Sequence, residues 1–249
     1  MTAQTDPAKR HQRHSTQALG THRPRLSHCL KKTSSLIAGC LLAALSCTAC
    51  TGAPGTEDEL LVVLTTELGD IELALYPERA PVSTANFLVY VDRGIFDGAS
   101  FYRVVREDND PGDAPIQVVQ GGLMGDTFRF GSDEEIDTEQ PGLAPVAHET
   151  TLTTGLSNRY GVIALARLDP GTASSEFFIN LADNPVLDTD AAGRNPDGAG
   201  YATFGRVRKG MELLERIQDL PTDAPKGAAS DIARQVLNDP IRIISARRK

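Results

Sequence analysis

Short apolar runs dominate the pattern from residue 59 onward, and their lengths are typical of β-strands. The segment "LLVVLTTELGDIELALY" (60–76) contains two such runs joined at Leu68-Gly69-Asp70, which predicts a tight turn between two strands. Six further apolar runs are bounded by Gly, Pro, Asn or Asp and are also predicted to be strands. They are Phe101–Val105, Ile116–Gln120, Val162–Ala166, Phe177–Leu181, Thr203–Arg206 and Ile241–Ser245.

Two segments show helical rather than strand periodicity. In "ERAPVSTANFLVYVDRGIF" (78–96), Pro81 suits a first helical turn and Gly94 ends the pattern. A second helix is predicted in "KGMELLERIQDL" (209–220), where Met211, Leu214 and Ile217 form one stripe. Many short strands with two helices predict a mainly β fold, a small closed β-barrel with helices on its ends. Residues 59–249 show no internal linker or repeat and are predicted to form one domain.

The first 49 residues have the character of an export signal. A basic stretch ends at Lys31-Lys32, and fourteen mainly apolar residues follow, Leu36 to Ala49. This run is shorter than the ~20 apolar residues that span a bilayer. A basic flank, a short apolar region and small residues at its end are typical of a signal peptide. Residues 50–58 are then predicted to be a polar tether between the signal and the domain.

Cysteines sharpen this prediction, because all four lie within the first fifty residues. The segment resembles a bacterial lipoprotein signal, in which a cysteine marks the cleavage and lipidation site. Cys40, Cys47 and Cys50 compete, and we favour Cys50 because the polar tether begins directly after it. The resemblance implies an exported protein on the periplasmic side of the cell envelope, held to a membrane by a lipid anchor. An ordinary cleaved secretory signal and an uncleaved anchor are the alternatives.

The domain itself is strongly acidic. Residues 1–49 hold seven of the 25 Lys and Arg residues and one of the 33 Asp and Glu residues, which leaves 18 basic against 32 acidic residues beyond them. Such a surface repels phosphate backbones, so we expect no nucleic-acid partner. With one histidine (His148), no cysteine and no serine motif, the domain gives no support for zinc or catalytic-triad chemistry. We expect no cofactor and no metal.

A loop rich in Asp and Gly, "DTDAAGRNPDGAG" (188–200), partly matches a calcium-binding loop. Asp188, Asp190 and Gly193 stand at the first, third and sixth positions of that motif. Ala192 and Ala199 occupy the fifth and twelfth positions, and the twelfth needs a bidentate glutamate. The segment is therefore predicted to be a solvated loop insertion.

A cation within an apolar strand is the most unusual local feature. Arg103 interrupts "FYRVV", and the neighbouring strand ends in "VVQGG" (118–122). With "GDIELALYPERAPVSTANF", "GVIALARLDPGTASSEFFINLADNPVLD" and "YATFGRVRKGMELLERI", these segments resemble, in order and spacing, the cyclophilins, a class of peptidyl-prolyl cis/trans isomerases. "NLADN" and Tyr201 resemble the bacterial branch. The resemblance covers nearly all of 59–249 and implies an eight-stranded antiparallel barrel with two helices.

The resemblance also implies roles for individual residues. Arg103 matches the catalytic arginine and Gln120 the glutamine beside it. Phe178 and Leu187 match the floor and wall of the proline pocket, with Val118 as a further lining residue. The backbone of Ala166 and Arg167 matches the part that aligns the substrate, and Tyr201 matches the polar aromatic rim. Glu176 stands where the family has a glutamine next to the pocket. The implied partners are proline-containing polypeptides, and the implied state is a monomer.

Several positions depart from the family pattern. The phenylalanine that opens the family's glutamine-glycine strand falls at Gln117, or at Ile116 if the strand is shifted, so one pocket wall is polar or displaced. Tyr102 replaces a histidine, Val186 replaces an aromatic, and the loop 106–115 is longer than typical. The carboxylate of Glu176 is expected close enough to pair with Arg103, and Glu107 is the other candidate partner.

These features predict an isomerase that accelerates rotation about X-Pro bonds and assists the folding of exported proteins. A proline-peptide binding or chaperone module with weak or no catalysis is the alternative, and Gln117 and Val186 favour it. A purely structural envelope lipoprotein is a third possibility.

Overall fold

The computed structural model describes residues 58–126, 142–191, 194–223 and 232–249. The predicted signal peptide, nearly all of the tether and the candidate lipidation cysteines lie outside the described residues. No helix within the described ranges is both long and apolar enough to cross a membrane.

Eight antiparallel strands close into a barrel in the order β1-β2-β7-β5-β6-β4-β3-β8. This confirms the predicted fold class. The strands are β1 (Leu60–Thr66), β2 (Gly69–Leu75), β3 (Ser100–Val105), β4 (Val118–Gly122), β5 (Val162–Leu165), β6 (Phe177–Asn180), β7 (Thr203–Lys209) and β8 (Val236–Arg248).

Two longer helices accompany the barrel, α1 (Pro81–Asp92) and α3 (Met211–Gln218), both at predicted positions. Pro81 begins α1, where its missing N–H costs nothing. No side chain of the residue before α1 caps it. The buried carboxylate of Glu149 instead accepts from the N–H groups of Val82 (3.0 Å) and Ser83 (2.7 Å). A one-turn helix, α2 (Thr151–Thr154), was not predicted.

Aromatic side chains fill the barrel interior. The ring of Phe87, from α1, lies 5.4 Å from that of Phe177 on β6 and 5.3 Å from that of Phe204 on β7. All three are almost fully buried. Burying one such side chain contributes about 1.5–3 kcal/mol to folding. The barrel is therefore a packed core, and its interior is not a binding site.

The last strand is longer than predicted, because β8 begins at Val236 rather than near Ile241. Its register with β3 shifts between the pairs Phe101–Ile241 and Arg103–Val236. Residues 237–240 thus lie opposite Tyr102 alone, in a bulge that contains Pro240. A proline is tolerated at such a bulge because no ladder hydrogen bond is required there. The bulge brings the residue before β8, Gln235, to Arg103.

Candidate active site

Four side chains form a row across the strands β3, β4, β6 and β5. The strand registers place Arg103 opposite Gln120, Gln120 opposite Phe178, and Phe178 opposite Ala164. Directly opposed residues project from the same face of a sheet. The adjacent residues Val104, Val119, Phe177, Ile163 and Leu165 belong to the barrel core. The row, which we call the outer row, therefore lies on the outside of the barrel.

A second apolar cluster, separate from the barrel core, covers this outer face. It consists of Val105, Ile116, Val118, Ala164, Phe178 and Leu187, with Ala166, Val186 and Tyr201 packed against it. We call it the outer cluster. The structure thus brings together the five residues predicted to form or border the pocket, namely Val118, Phe178, Leu187, Ala166 and Tyr201. The rings of Phe178 and Tyr201 meet edge to face, with centroids 5.2 Å apart.

Of the two residues considered for one pocket wall, Ile116 belongs to the outer cluster. Its side chain is buried in the outer cluster. The side chain of Gln117 instead points to Glu107, with 3.4 Å between the amide nitrogen and the carboxylate. The backbone of Gln117 is held by Asn184, which both donates to its carbonyl (3.0 Å) and accepts from its N–H (3.2 Å). The wall is therefore aliphatic, and the expectation of a polar wall at Gln117 is wrong.

Neutral amides, not carboxylates, hold the guanidinium of Arg103. Its Nη1 donates to the side-chain oxygen of Gln120 (2.7 Å). Its Nε and Nη2 both donate to the side-chain oxygen of Gln235, at 3.0 and 2.6 Å. Among the described residues no carboxylate forms an ion pair with it, so the predicted pairing with Glu176 or Glu107 is wrong. Burial lowers the pKa of Arg103, but a guanidinium stays charged in a protein.

Glu176 lies deeper, at the end of a hydrogen-bonded chain that starts at Arg103. Gln120 donates from its amide nitrogen to the hydroxyl of Tyr102 (2.6 Å), and this hydroxyl donates to Glu176 (2.7 Å). The other carboxylate oxygen of Glu176 accepts from the N–H groups of Leu123 (2.8 Å) and Met124 (3.1 Å). Glu176 is thus separated from Arg103 by two side chains.

Both ends of the Tyr102–Glu176 contact are buried, and burial changes their ionisation. The pKa of the Tyr102 hydroxyl is raised well above its usual value, first by burial and then by the charge of Glu176. Burial also raises the pKa of Glu176, against the lowering effect of the groups that donate to it. The tyrosine therefore stays a neutral donor.

Arg167 is the second arginine near the outer cluster; it is buried, whereas Arg103 is partly exposed, and its surroundings differ. It forms an ion pair with Asp197 through two bonds of 2.7 and 3.0 Å, and it donates to the carbonyl of Gly200. Its guanidinium carbon lies 5.2 Å from the centroid of the Tyr201 ring. The side chain of Arg167 therefore supports the aromatic rim. No hydrogen bond within the described residues uses the N–H of Arg167 or the carbonyl of Ala166.

Comparison with known proteins decides the family. Residues 61–248 match the family described as "Cyclophilin type peptidyl-prolyl cis-trans isomerase/CLD". The chain belongs to the cyclophilin family. A curated relative, peptidyl-prolyl cis-trans isomerase A of Dickeya dadantii, is 38% identical over 191 residues, which cover 76% of this chain and 87% of the relative. A peptidyl-prolyl cis-trans isomerase of Acinetobacter baylyi is 34% identical over 190 residues, covering 76% and 85%.

A solved cyclophilin structure agrees in fold. The crystal structure of a cyclophilin type peptidyl-prolyl cis-trans isomerase from Cryptosporidium parvum superposes with a TM-score of 0.55. It is 22% identical and covers 77% of this chain and 98% of its own. The sequence relatives and the family match together show that this cyclophilin is a peptidyl-prolyl cis-trans isomerase.

Two loops of this cyclophilin, 106–115 and 188–200, meet beside the outer cluster. Arg194 forms a bidentate ion pair with Asp110, at 2.7 and 2.9 Å. The carboxylate of Asp110 also accepts from the N–H of Ile116 (2.9 Å). Burial alone would raise the pKa of Asp110, but the bonds from Arg194 and the backbone hold it below the usual value. The loop 106–115 is thereby fixed to the segment around Arg194.

The loop 188–200 is anchored through two of its aspartates, while Asp190, Pro196 and Asp197 are exposed. Asp188 accepts from the hydroxyl of Ser157 and from the N–H (2.8 Å) and the side-chain amide (2.9 Å) of Asn158. Asp197 is held by Arg167. Across the described ranges, no three His, Cys, Asp or Glu side chains converge as a possible metal site.

Sequence reasoning missed one residue of the site, Gln235. It holds Arg103 from 132 positions away in the chain and lies outside the segments that resemble the family. Its polar side chain just before a strand gives no local signal of this contact. Ile116 was only an alternative to Gln117, and its apolar character next to a buried strand was the signal that favoured it.

Proposed function

We propose that Arg103 is the catalytic residue of this isomerase and that the outer cluster holds the substrate proline. One observation carries this proposal: a guanidinium that has no carboxylate partner among the described residues lies in a row with Phe178, the aromatic floor of an apolar cluster. Three of its N–H groups bind Gln120 and Gln235. A guanidinium has five N–H groups, so about two are left to face a substrate.

The chemistry of cis/trans isomerisation explains why one fixed guanidinium beside an apolar pocket is enough for catalysis. Rotation about a peptide bond is opposed by delocalisation of the nitrogen lone pair, with a barrier of ~18–20 kcal/mol. In the twisted transition state this lone pair is localised on the proline nitrogen. A fixed donor aimed at the proline amide therefore stabilises the transition state more than the ground state. No bond is broken, so no nucleophile or general base is required.

The other predicted residues are proposed to position the substrate. Phe178, Leu187, Val118 and Ile116 would pack around the proline ring while the preceding carbonyl turns. The carbonyl of Ala166 and the N–H of Arg167 would pair with the extended substrate backbone, since neither is used within the described residues. Tyr201 borders the pocket on its polar side.

Exchange of a proline peptide between cis and trans, measured by NMR, tests this proposal. Wild-type protein should accelerate the exchange, and Arg103→Ala should lower kcat/KM about 10²–10³-fold, the usual loss of a key transition-state donor. Equal rates for both proteins would overturn the role of Arg103. Peptide binding without acceleration by the wild type would favour a binding module.

We also propose that the protein is exported, anchored to a membrane by a lipid on Cys50, and acts as a monomer on exported polypeptides. The basic flank, the short apolar run and the clustered cysteines support this proposal. Mass spectrometry of the mature N-terminus should find a diacylated or triacylated Cys50, with Cys47 as the next candidate. An unmodified N-terminus at another residue would refute the anchor. Light scattering of the detergent-solubilised protein would test the monomer.

A further inference from the structure

The chain from Arg103 to Glu176 has a fixed direction of hydrogen-bond donation. In its ionised form the carboxylate of Glu176 only accepts, and the hydroxyl of Tyr102 then donates to it. This hydroxyl then offers a lone pair to the amide nitrogen of Gln120. Because one end of the Gln120 amide is thereby fixed as donor, its oxygen faces Arg103 and accepts from the guanidinium.

The opposite orientation of Gln120 would place an NH₂ group against the guanidinium. Two donors would then face each other, and the guanidinium would lose its partner on that side. The guanidinium only donates and therefore already favours the amide oxygen on its side. Tyr102 adds to this preference from the other side, because a hydroxyl that donates to Glu176 accepts from the Gln120 amide nitrogen.

We propose that Tyr102 and Glu176 are positioning residues that hold the Gln120 amide oxygen on Arg103 and thereby keep the guanidinium in its working geometry. This inference rests on the catalytic role proposed for Arg103. Both residues depart from the family pattern. They lie 74 positions apart in the sequence, and the hydrogen bond from the Tyr102 hydroxyl to Glu176 connects them.

Gly122 leaves space for the carboxylate of Glu176. A Cβ on Gly122, whose φ is +150°, would lie 2.4–2.5 Å from the carboxylate atoms of Glu176. Only a residue without a side chain leaves room for Glu176 to reach the N–H groups of Leu123 and Met124. These bonds and one from the Ser175 hydroxyl (3.0 Å) fix the carboxylate independently of Tyr102.

A double-mutant cycle on the full chain tests the inference. Tyr102→Phe removes only the hydroxyl and should lower kcat about three- to tenfold, the worth of one neutral hydrogen bond. KM should stay nearly unchanged, because the outer cluster is intact. Glu176→Gln should lower kcat similarly in the wild-type background. In the Tyr102→Phe background it should have little further effect, since the hydroxyl through which it acts is absent.

The chain offers a matched control for each variant. Tyr90 is a fully buried tyrosine whose hydroxyl contacts Ser174 (2.8 Å) and accepts from the N–H of Leu143 (2.7 Å). It takes no part in the series of hydrogen bonds that connects Arg103 with Glu176. Glu149 is a buried carboxylate that accepts from two N–H groups of α1. Tyr90→Phe and Glu149→Gln should lower thermal stability but leave kcat of the folded protein unchanged.

The outcomes separate this inference from the proposed function. If Arg103→Ala has no effect, the proposed catalytic role fails. If Arg103→Ala is impaired but Tyr102→Phe behaves as Tyr90→Phe does, the positioning role is overturned. Equal loss from Glu176→Gln with and without the Tyr102 hydroxyl would also overturn it. Should Glu176→Gln fail to fold, Tyr102→Phe against Tyr90→Phe still decides, because the other bonds of Glu176 remain.

Discussion

Arg103 is partly buried and Arg167 is buried, both near one apolar cluster, yet one is held by neutral partners and the other by a carboxylate. Arg167 is neutralised by Asp197 and fixed to the carbonyl of Gly200. Arg103 is held by two glutamine side chains, which orient it without cancelling its charge. The comparison shows how one residue type serves two purposes. A carboxylate makes an arginine part of the framework, whereas amides leave its positive charge available to a substrate.

Among the changes that test this comparison between the two arginines, the largest effect should come from Arg103→Lys. A lysine keeps the charge but loses the planar fork that binds both glutamines and faces the proline amide. We expect kcat/KM to fall about 10²-fold, with the thermal unfolding midpoint nearly unchanged. Isomerase kinetics and calorimetry on the same samples would measure both. Activity close to the wild type would show that charge alone suffices.

Arg167→Met should give the reverse pattern. Methionine fills the space of the buried aliphatic part of the Arg167 side chain, but the hydrogen bonds of the guanidinium to Gly200 and Asp197 are lost. Because Asp197 remains partly exposed and can be hydrated, the free energy of unfolding should fall by only about 1–3 kcal/mol. Chemical denaturation would measure it. A kcat for the folded protein far below that of the wild type would contradict the distinction between the two arginines.

Gln235→Glu should make Arg103 resemble Arg167. The carboxylate would attract the guanidinium, weaken its field at the substrate and lose the amide bond to the carbonyl of Asn109. We expect kcat to fall about three- to tenfold. Arg103 should remain ordered, which separates this change from a positioning defect. Unchanged kcat would mean that a neutral partner is not required.

The smallest effect is a pH dependence of stability. The hydrogen bond from Arg167 holds the pKa of Asp197 below its usual value. Its contribution is therefore present above the usual aspartate pKa of about 3.9 and is lost as the pH falls through the lowered value. Unfolding midpoints measured from pH 6 to 2 should fall less steeply for Asp197→Asn. An identical slope in both proteins would contradict this assignment.

Sequence patterns predicted the strands and the outer cluster because these depend on local spacing and on motifs that the family shares. Arg103 and Phe178 follow from such motifs. Of the two partners of Arg103, Gln120 followed from the motifs, but Gln235 did not, since it reaches Arg103 only through a bulge in β8 whose proline and polar residues do not look like a strand. The expected Glu176–Arg103 pair was wrong because Tyr102 takes the carboxylate. Proximity in a motif does not specify which donor meets which acceptor.

The contact between Asp110 and Arg194 has an evolutionary consequence. The side chain of Asp110 has no exposed surface, and removal of one partner from a buried ion pair leaves an uncompensated charge. A descendant that deleted the loop around Arg194 would keep a buried aspartate without a cation. An alignment would score changes in the two loops separately, but their inheritance should be joint. Lineages related to this one are expected to keep both loops or to lose both.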